Sequence, residues 1–294
     1  MRRSGSLERE TRWLAELLVL PAWVFLVLVF ALPILGAVYF SFRNETLGSF
    51  VAPRFIGLEN YAAALADPRF WESIRTTLFL IVAGLVIQLP IGIGLALLLH
   101  RNLRGTQIFR TAIIVPMLLT PVAVGLMWRF MFDTDFGIIN WVLGSVFPNP
   151  PNWLGSRWAA RFAVVVVDSW LSIPFVMLMV LAALASLPKG PAEAAAIDGA
   201  GPVSIFLHVT LPSLVPVILV VVIIRVVDVV KLFDIIFIVT QRGGPGTATQ
   251  TLGLLTYNTG FIFFQTSRAA ALGILLTLMV APIYFLWRRV GRSP

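Results

Sequence analysis

The sequence predicts an all-α integral membrane protein with six transmembrane helices. Apolar residues make up 59% of its 294 residues and charged residues 12%. Soluble domains carry about 25% charge, so this chain cannot clothe itself in a wetted surface. The apolar residues also gather into runs long enough to cross a hydrocarbon core of about 30 Å, separated by segments that hold most of the charge, proline and asparagine. A third observation narrows the chemistry. With no cysteine, the chain has no disulfide, thiolate metal site or cysteine nucleophile. The only histidines, His100 and His208, lie far apart in sequence and give little basis for a metal site. The net charge of +8 is read as cytoplasmic loop charge rather than a nucleic-acid surface.

The polar segment 1–16 carries Arg2, Arg3, Arg9 and Arg12 and precedes an uncharged run from Leu17 to Phe42. This run spans with some tilt and lacks the short core and small-residue cleavage site of a signal peptide. A mixed loop follows, with Phe55-Ile56-Gly57-Leu58-Glu59-Asn60-Tyr61. The second span is Thr76 to Leu99. A short basic loop with Arg101, Arg104 and Arg110 and no acid leads to the third span, Thr111 to Met131, which Pro116 and Pro121 should kink. A loop rich in Pro, Asn and Trp, including Pro148 and Trp153, precedes the fourth span, Arg161 to Leu187. Pro212 to Thr240 is the fifth and Ala269 to Trp287 the sixth, followed by the basic tail 288–294. The whole chain, 1–294, reads as one membrane domain.

Six spans place both termini on one side. With that side inside, eleven Lys or Arg fall on inner segments and eight on outer ones. The acid-free 100–110 loop and tail are the more telling parts of the positive-inside argument.

Charges within spans are expensive, about 2.5–3.5 kcal/mol each at the centre, so they face the bundle, water or a partner. Arg225, Asp228, Lys231 and Asp234 recur at steps of three with alternating sign, which predicts a helical ladder of i, i+3 pairs. This face lines a translocation path or subunit contact, or else neutralises itself structurally. Asp168 stands alone in its apolar run. It is a path candidate together with Trp170 and Phe175, although an interfacial position near Trp170 is the reading favoured for it. Asp133 and Asp135 read as a solvated turn.

Between the fourth and fifth spans, segment 188–211 is not membrane-like. Pro188 and Pro191 suit a helix entrance, Glu193 complements the helix dipole in the first turn, and Ala194–Ala196 form helix with little bulk. Asp198-Gly199 ends this helix, and Pro202 opens a second short one. The stretch Glu193-Ala194-Ala195, Asp198-Gly199, Val209, Leu211-Pro212 resembles the EAA loop of permease subunits of binding-protein-dependent ABC importers, with valine for the usual isoleucine. Residues 55–61 resemble the start of sugar-type members. Phe233-Asp234, Thr240, Gly243-Gly244-Pro245, Thr249 and Tyr257 resemble a signature of the maltose/trehalose/glycerol-phosphate-type carbohydrate class.

The resemblance implies a cytoplasmic coupling loop in which Glu193, Ala194, Ala195, Asp198 and Gly199 meet an ATP-binding subunit. It also implies an external loop, Thr240 to Thr249, that meets a solute-binding protein. The implied partners are a second permease, two ATP-binding subunits and an extracytoplasmic solute-binding protein, with no nucleic acid. No GxxxxGK[ST] loop occurs, since Gly243-Gly244-Pro245-Gly246 lacks the lysine. ATP and Mg belong to the partners, and no cofactor or metal is expected on this chain. The implied solute is a carbohydrate or polyol, with glycerol phosphate kept open by Arg225. An ion-coupled secondary transporter using Asp228 is the distant alternative. An intramembrane enzyme would need a convergent catalytic set that the sequence lacks.

Overall fold

The computed structural model describes residues 4–48, 52–101, 105–147 and 149–290. Arg2, Arg3, Arg104, Pro148 and Arg292, used above, lie outside the described residues. Among the described residues there is no strand, only an isolated bridge between Arg43 and Phe55. The chain divides into two compact units. One comprises the residues up to Ala66 with Thr256–Leu275, and the other Asp67–Leu255 with the residues from Leu276 on.

In the first unit, α1 (Ser4–Leu26) passes through one π-helical turn, Val27–Ala31, into α2 (Leu32–Ser41). The helix therefore starts well before Leu17, in the segment expected to be a polar tail. Its apolar side chains, Leu18 and Phe25 among them, are exposed. At the end of α2 the 55–61 motif does structural work. Asn60 donates through Nδ2 to the carbonyls of Ser41 (2.8 Å) and Arg43 (2.7 Å), and the Tyr61 hydroxyl meets Ser41 Oγ at 2.7 Å. Phe55 stacks on Phe42, and Gly57, at φ +60, turns the chain into α3 (Glu59–Ala66). The Glu45 amide donates to Ser267 Oγ (2.8 Å) and the Ser267 amide to the Glu45 carbonyl (3.1 Å), at the start of α14 (Thr266–Val290).

In the second unit, α4 (Pro68–His100) and α8 (Arg157–Ser186) are the two longest helices. Asp67 caps α4 by accepting from Arg69 N, and Ser156 caps α8 by accepting from Ala159 N. The helices lie so close that a Cβ on Gly92 would sit 2.5 Å from Val176 Cγ1 and 3.2 Å from the Met177 backbone nitrogen. Around this contact Ala96, Met177, Val180, Leu214 and Val221 form a buried core shared with α11 (Leu211–Val230). Gly92→Val is expected to overpack this seam and destabilise by about 1–3 kcal/mol. Gly94→Ala, with open space around it, should be neutral or slightly stabilising by up to about 1 kcal/mol. Thermal unfolding of the solubilised protein checks both, and equal melting temperatures would refute the close-contact reading.

Two expected spans are broken. The third consists of α5 (Thr106–Ile114) with a 3-10 turn, Val115–Leu118, and α6 (Pro121–Met131), bent by 98°. Leu119 and Thr120 are extended at the break, as a residue before proline prefers. The fifth ends at Val230. Lys231 caps it, and α12 (Asp234–Val239) starts afresh. The short α7 (Ile138–Gly144) is held by its loop, where Asn140 accepts from Trp153 Nε1 at 2.8 Å. The Asp133–Asp135 turn forms as expected, with Asp133 Oδ1 accepting from the Asp135 and Phe136 amides.

Among the described residues, four helices are long and apolar enough to cross a membrane: Glu16–Ser41, Pro68–His100, Arg157–Ser186 and Pro202–Val230. The bent pair supplies a fifth candidate, and Thr266–Pro282 is a shorter apolar helix.

Candidate functional site

Three of the sequence candidates, Arg225, Asp168 and Asp228, meet inside the second unit around a residue the sequence did not flag, Gln88. Arg225 on α11, Asp168 on α8 and Gln88 on α4 close a ring of hydrogen bonds. Arg225 donates from Nη2 to Asp168 Oδ2 (2.7 Å) and from Nε to Gln88 Oε1 (2.9 Å), and Gln88 Nε2 donates to the same Asp168 oxygen (2.8 Å). Gln88 also reaches Ser169 Oγ at 3.3 Å. Arg225, Asp168 and Gln88 are 5%, 6% and 1% exposed. Asp228 completes the cluster at its exposed edge, 3.3 Å from Arg225 Nη1. A methyl added at Gly84 would stand 3.1 Å from Gln88 Nε2, so the glycine leaves room for the amide.

The interfacial reading of Asp168 is therefore overturned: it is the buried counter-ion of Arg225. The ladder is corrected as well. Only Arg225 and Asp228 share it, because the helix stops at Val230 and the three-residue step loses its meaning beyond. Lys231 and Asp234 are exposed, and neither forms an ion pair among the described residues. Trp170 joins an aromatic row instead, edge-on to Trp128 at 5.9 Å, with Trp128 against Phe132 and Phe132 against Trp153. Phe175 packs on the α4–α8–α11 core. Gln88 was missed. The signal for it is plain in retrospect, since it is the lone amide in an apolar run of some twenty residues.

At the other end of α8, α9 (Gly190–Ile197) has Pro191 and Glu193 in its first turn. It ends as a full Schellman motif. Gly199 takes φ +85, its amide donates to Ala196 O (3.1 Å), and the Ala200 amide donates to Ala195 O (3.0 Å). Glu193, Ala194, Asp198 and Gly199 are exposed, Ala195 is half-buried, and Ile197 is 86% exposed. The second short helix is not separate. α10 (Pro202–Ile205) runs through a π turn, Phe206–Thr210, directly into α11, so Pro202–Val230 is one continuous rod. Pro212 and Pro216 do not break it. Pro212 falls where the widened turn meets the next helix, and Pro216 is carried within the helix.

The loop after α12 is compact. Thr240 Oγ1 bonds Ile236 O and Thr249 Oγ1, both at 2.7 Å, and the Gly243 carbonyl accepts from Thr249 N at 3.0 Å. Thr240, Gly243 and Thr249 are buried, so these three build the loop rather than offering contact. Gly244 and Pro245 are half-buried, and Gln241, Arg242 and Gly246 are exposed. Arg161, the first residue of the expected fourth span, is buried and clamps this loop. Its Nε donates to Ala248 O (2.6 Å) and its Nη2 to Thr76 Oγ1 (2.9 Å), and the guanidinium contacts the rings of both Phe79 and Trp158. Arg161→Ala removes charge-assisted bonds worth about 1.5–3 kcal/mol each. Limited proteolysis should then cut within 241–250 at least several-fold faster, and unchanged cleavage would contradict the clamp.

A polytopic helical membrane protein with an exposed, alanine-rich helix between two of its spans is the class defined by this geometry. Residues 88–293 match the family of binding-protein-dependent transport system inner membrane components, and the chain belongs to that family. It is thus a multi-pass inner-membrane protein. It is 32% identical over 280 residues to a trehalose/maltose transport system permease of Thermococcus litoralis, covering 95% of this chain and 94% of the relative. It is 34% identical over 280 residues to an sn-glycerol-3-phosphate transport system permease of Yersinia pestis, covering 91% and 90%. A bacterial alginate ABC transporter, solved in complex with an alginate pentasaccharide-bound periplasmic protein, has a chain of the same fold. Its TM-score is 0.81 at 20% identity, covering 99% of this chain and 98% of that one.

Proposed function

We propose that this chain is one permease half of an ATP-driven importer for carbohydrates or related polyols. The observation that carries the reading is α9, an exposed helix sealed by a Schellman turn and joined to a 29-residue rod that ends at the buried Arg225 cluster. A push on such a helix travels along α11 to the charges that line the path. The whole chain acts as one six-span domain, with the bent α5–α6 pair as one span and α14 as the last. Both termini and segment 188–211 are cytoplasmic. Glu193, Ala194, Ala195, Asp198 and Gly199 meet an ATP-binding subunit, which holds the ATP and Mg. A second permease, a second ATP-binding subunit and an extracytoplasmic solute-binding protein complete the assembly. Alternating access is then a shift between two populations biased by nucleotide and loaded binding protein.

A trehalose/maltose relative and a glycerol-phosphate relative leave two solute classes. The uncharged class fits better, because Arg225 already faces two carboxylates, and a phosphate would have to displace Asp168 from it. Mild-detergent purification from the native host, with mass spectrometry of the co-purifying chains, tests the assembly. Recovery of an ATP-binding subunit, a second permease and a binding protein is expected. A chain recovered alone that transports without ATP would instead identify a secondary transporter.

A further inference from the structure

We infer that the cavity between α6, α12 and the 240–250 loop is a second solute station, built for one uncharged sugar ring and separate from the Arg225 cluster. The inference rests on the importer reading above. The cavity measures about 370 Å³, and its lining includes Arg129, Asp133, Leu154, Thr240, Gln241 and Gly244. That is the lower end of the range for small-molecule sites.

Its chemistry matches vicinal hydroxyls, which both donate and accept. Arg129 only donates, Asp133 only accepts, and Gln241 does both. The two charges cancel, so the cavity favours a neutral solute over an ion. Arg129 and Asp133 form no ion pair with each other, and Asp133 Oδ2 has no hydrogen-bond partner among the described residues, its Oδ1 being used by the turn. The Gln241 amide oxygen, in the orientation its surroundings demand, accepts from the Arg129 guanidinium.

An independent observation bears on the same residue. Gln241 and Arg242 both lie in the left-handed region, at φ 48 and φ 68. Consecutive non-glycine residues there carry backbone strain, which persists where a side chain is required at a set place. Glycine would occupy position 241 at no such cost, yet a glutamine stands there, beside the cavity.

The test uses the assembled transporter with its binding protein in proteoliposomes. Radiolabelled glucose, maltose, trehalose and glycerol 3-phosphate are the probes, and the best-transported sugar is carried forward. Gln241→Gly keeps the backbone and removes the amide, so the loop should fold. Asp133→Asn and Arg129→Gln remove one charge each. Each variant is expected to retain ATPase stimulation by the loaded binding protein while solute moved per ATP falls about tenfold, the scale of one or two lost buried hydrogen bonds. Gln241→Asn, which tolerates the left-handed conformation and keeps an amide, should restore part of the yield. An unchanged ratio in Gln241→Gly and Asp133→Asn would overturn the station alone. So would loss of ATPase stimulation together with transport, since that pattern belongs to a docking surface. Uptake of glycerol 3-phosphate only, or of none of the four, would overturn the station together with the carbohydrate reading.

Discussion

Asp168→Leu is expected to strip the protein of most of its stability and all of its transport. The substitution leaves the Arg225 guanidinium buried without its 2.7 Å counter-ion, with Gln88 its other buried partner among the described residues. Breaking a buried pair from one side costs about 3–5 kcal/mol, several times what an exposed pair is worth. Asp228→Asn, at the exposed edge and 3.3 Å away, should therefore cost no more than about 1 kcal/mol. The double variant Asp168→Leu/Arg225→Met removes both charges and should recover folded yield, because an apolar replacement of a buried pair is often neutral or stabilising. Thermal unfolding and folded yield in detergent measure stability, and uptake in proteoliposomes measures transport. If the double variant folds and also transports normally, the cluster is only structural. If it folds and transport stays lost, the charges serve the path. Equal stability of Asp168→Leu and Asp228→Asn would refute the burial argument.

The second large effect is expected at Gly199. No heavy atom lies within 4 Å of a Cβ built there, yet φ is +85. A side chain thus meets open space, and the strain is confined to the backbone, about 1–2 kcal/mol. Gly199→Trp should accordingly fold and assemble. It would place an indole beside the exposed Ala194–Ile197 surface, and solute uptake should fall more than about tenfold, since more than ~1.4 kcal/mol of docking energy is disturbed. Gly199→Asn, which can end a Schellman turn, should transport nearly normally. Wild-type solute yield per ATP in Gly199→Trp would remove Gly199 and the face of α9 from the coupling surface.

The two sites differ in how far they could be read without coordinates. The α9 turn was legible because its determinants are local. A proline at the start, an acid in the first turn, three alanines and a glycine after an aspartate act within a dozen residues, and the Schellman bonds close within five. The same holds for the proline break near residue 119, although its size, 98°, depends on how the two halves pack. The 55–61 motif was visible as a pattern, but its purpose, tying Asn60 and Tyr61 back to Ser41, required the fold.

The buried cluster was only half legible. Arg225 and Asp168 stood out as charges in apolar runs. Sequence spacing paired Arg225 with Asp228, three residues along, whereas its shortest partner lies fifty-seven positions away on another helix. Spacing also carried the ladder past Val230, since periodicity does not announce where a helix stops. Polar loop signatures misled in the opposite direction. Thr240, Gly243 and Thr249 are the kind of residues that a contact loop offers, but their hydroxyls and amides satisfy one another inside it.

By itself the sequence determined the class: a helical membrane chain, since 59% apolar composition in long runs admits no other solvent, and a short helix, α9, whose start and stop are written in adjacent residues. Only the tertiary structure decided which charges neutralise which. A buried ion pair is chosen by proximity in space after the helices pack. The close seam at Gly92, which brings α4 against α8, lets Gln88 and Asp168 meet Arg225 at all.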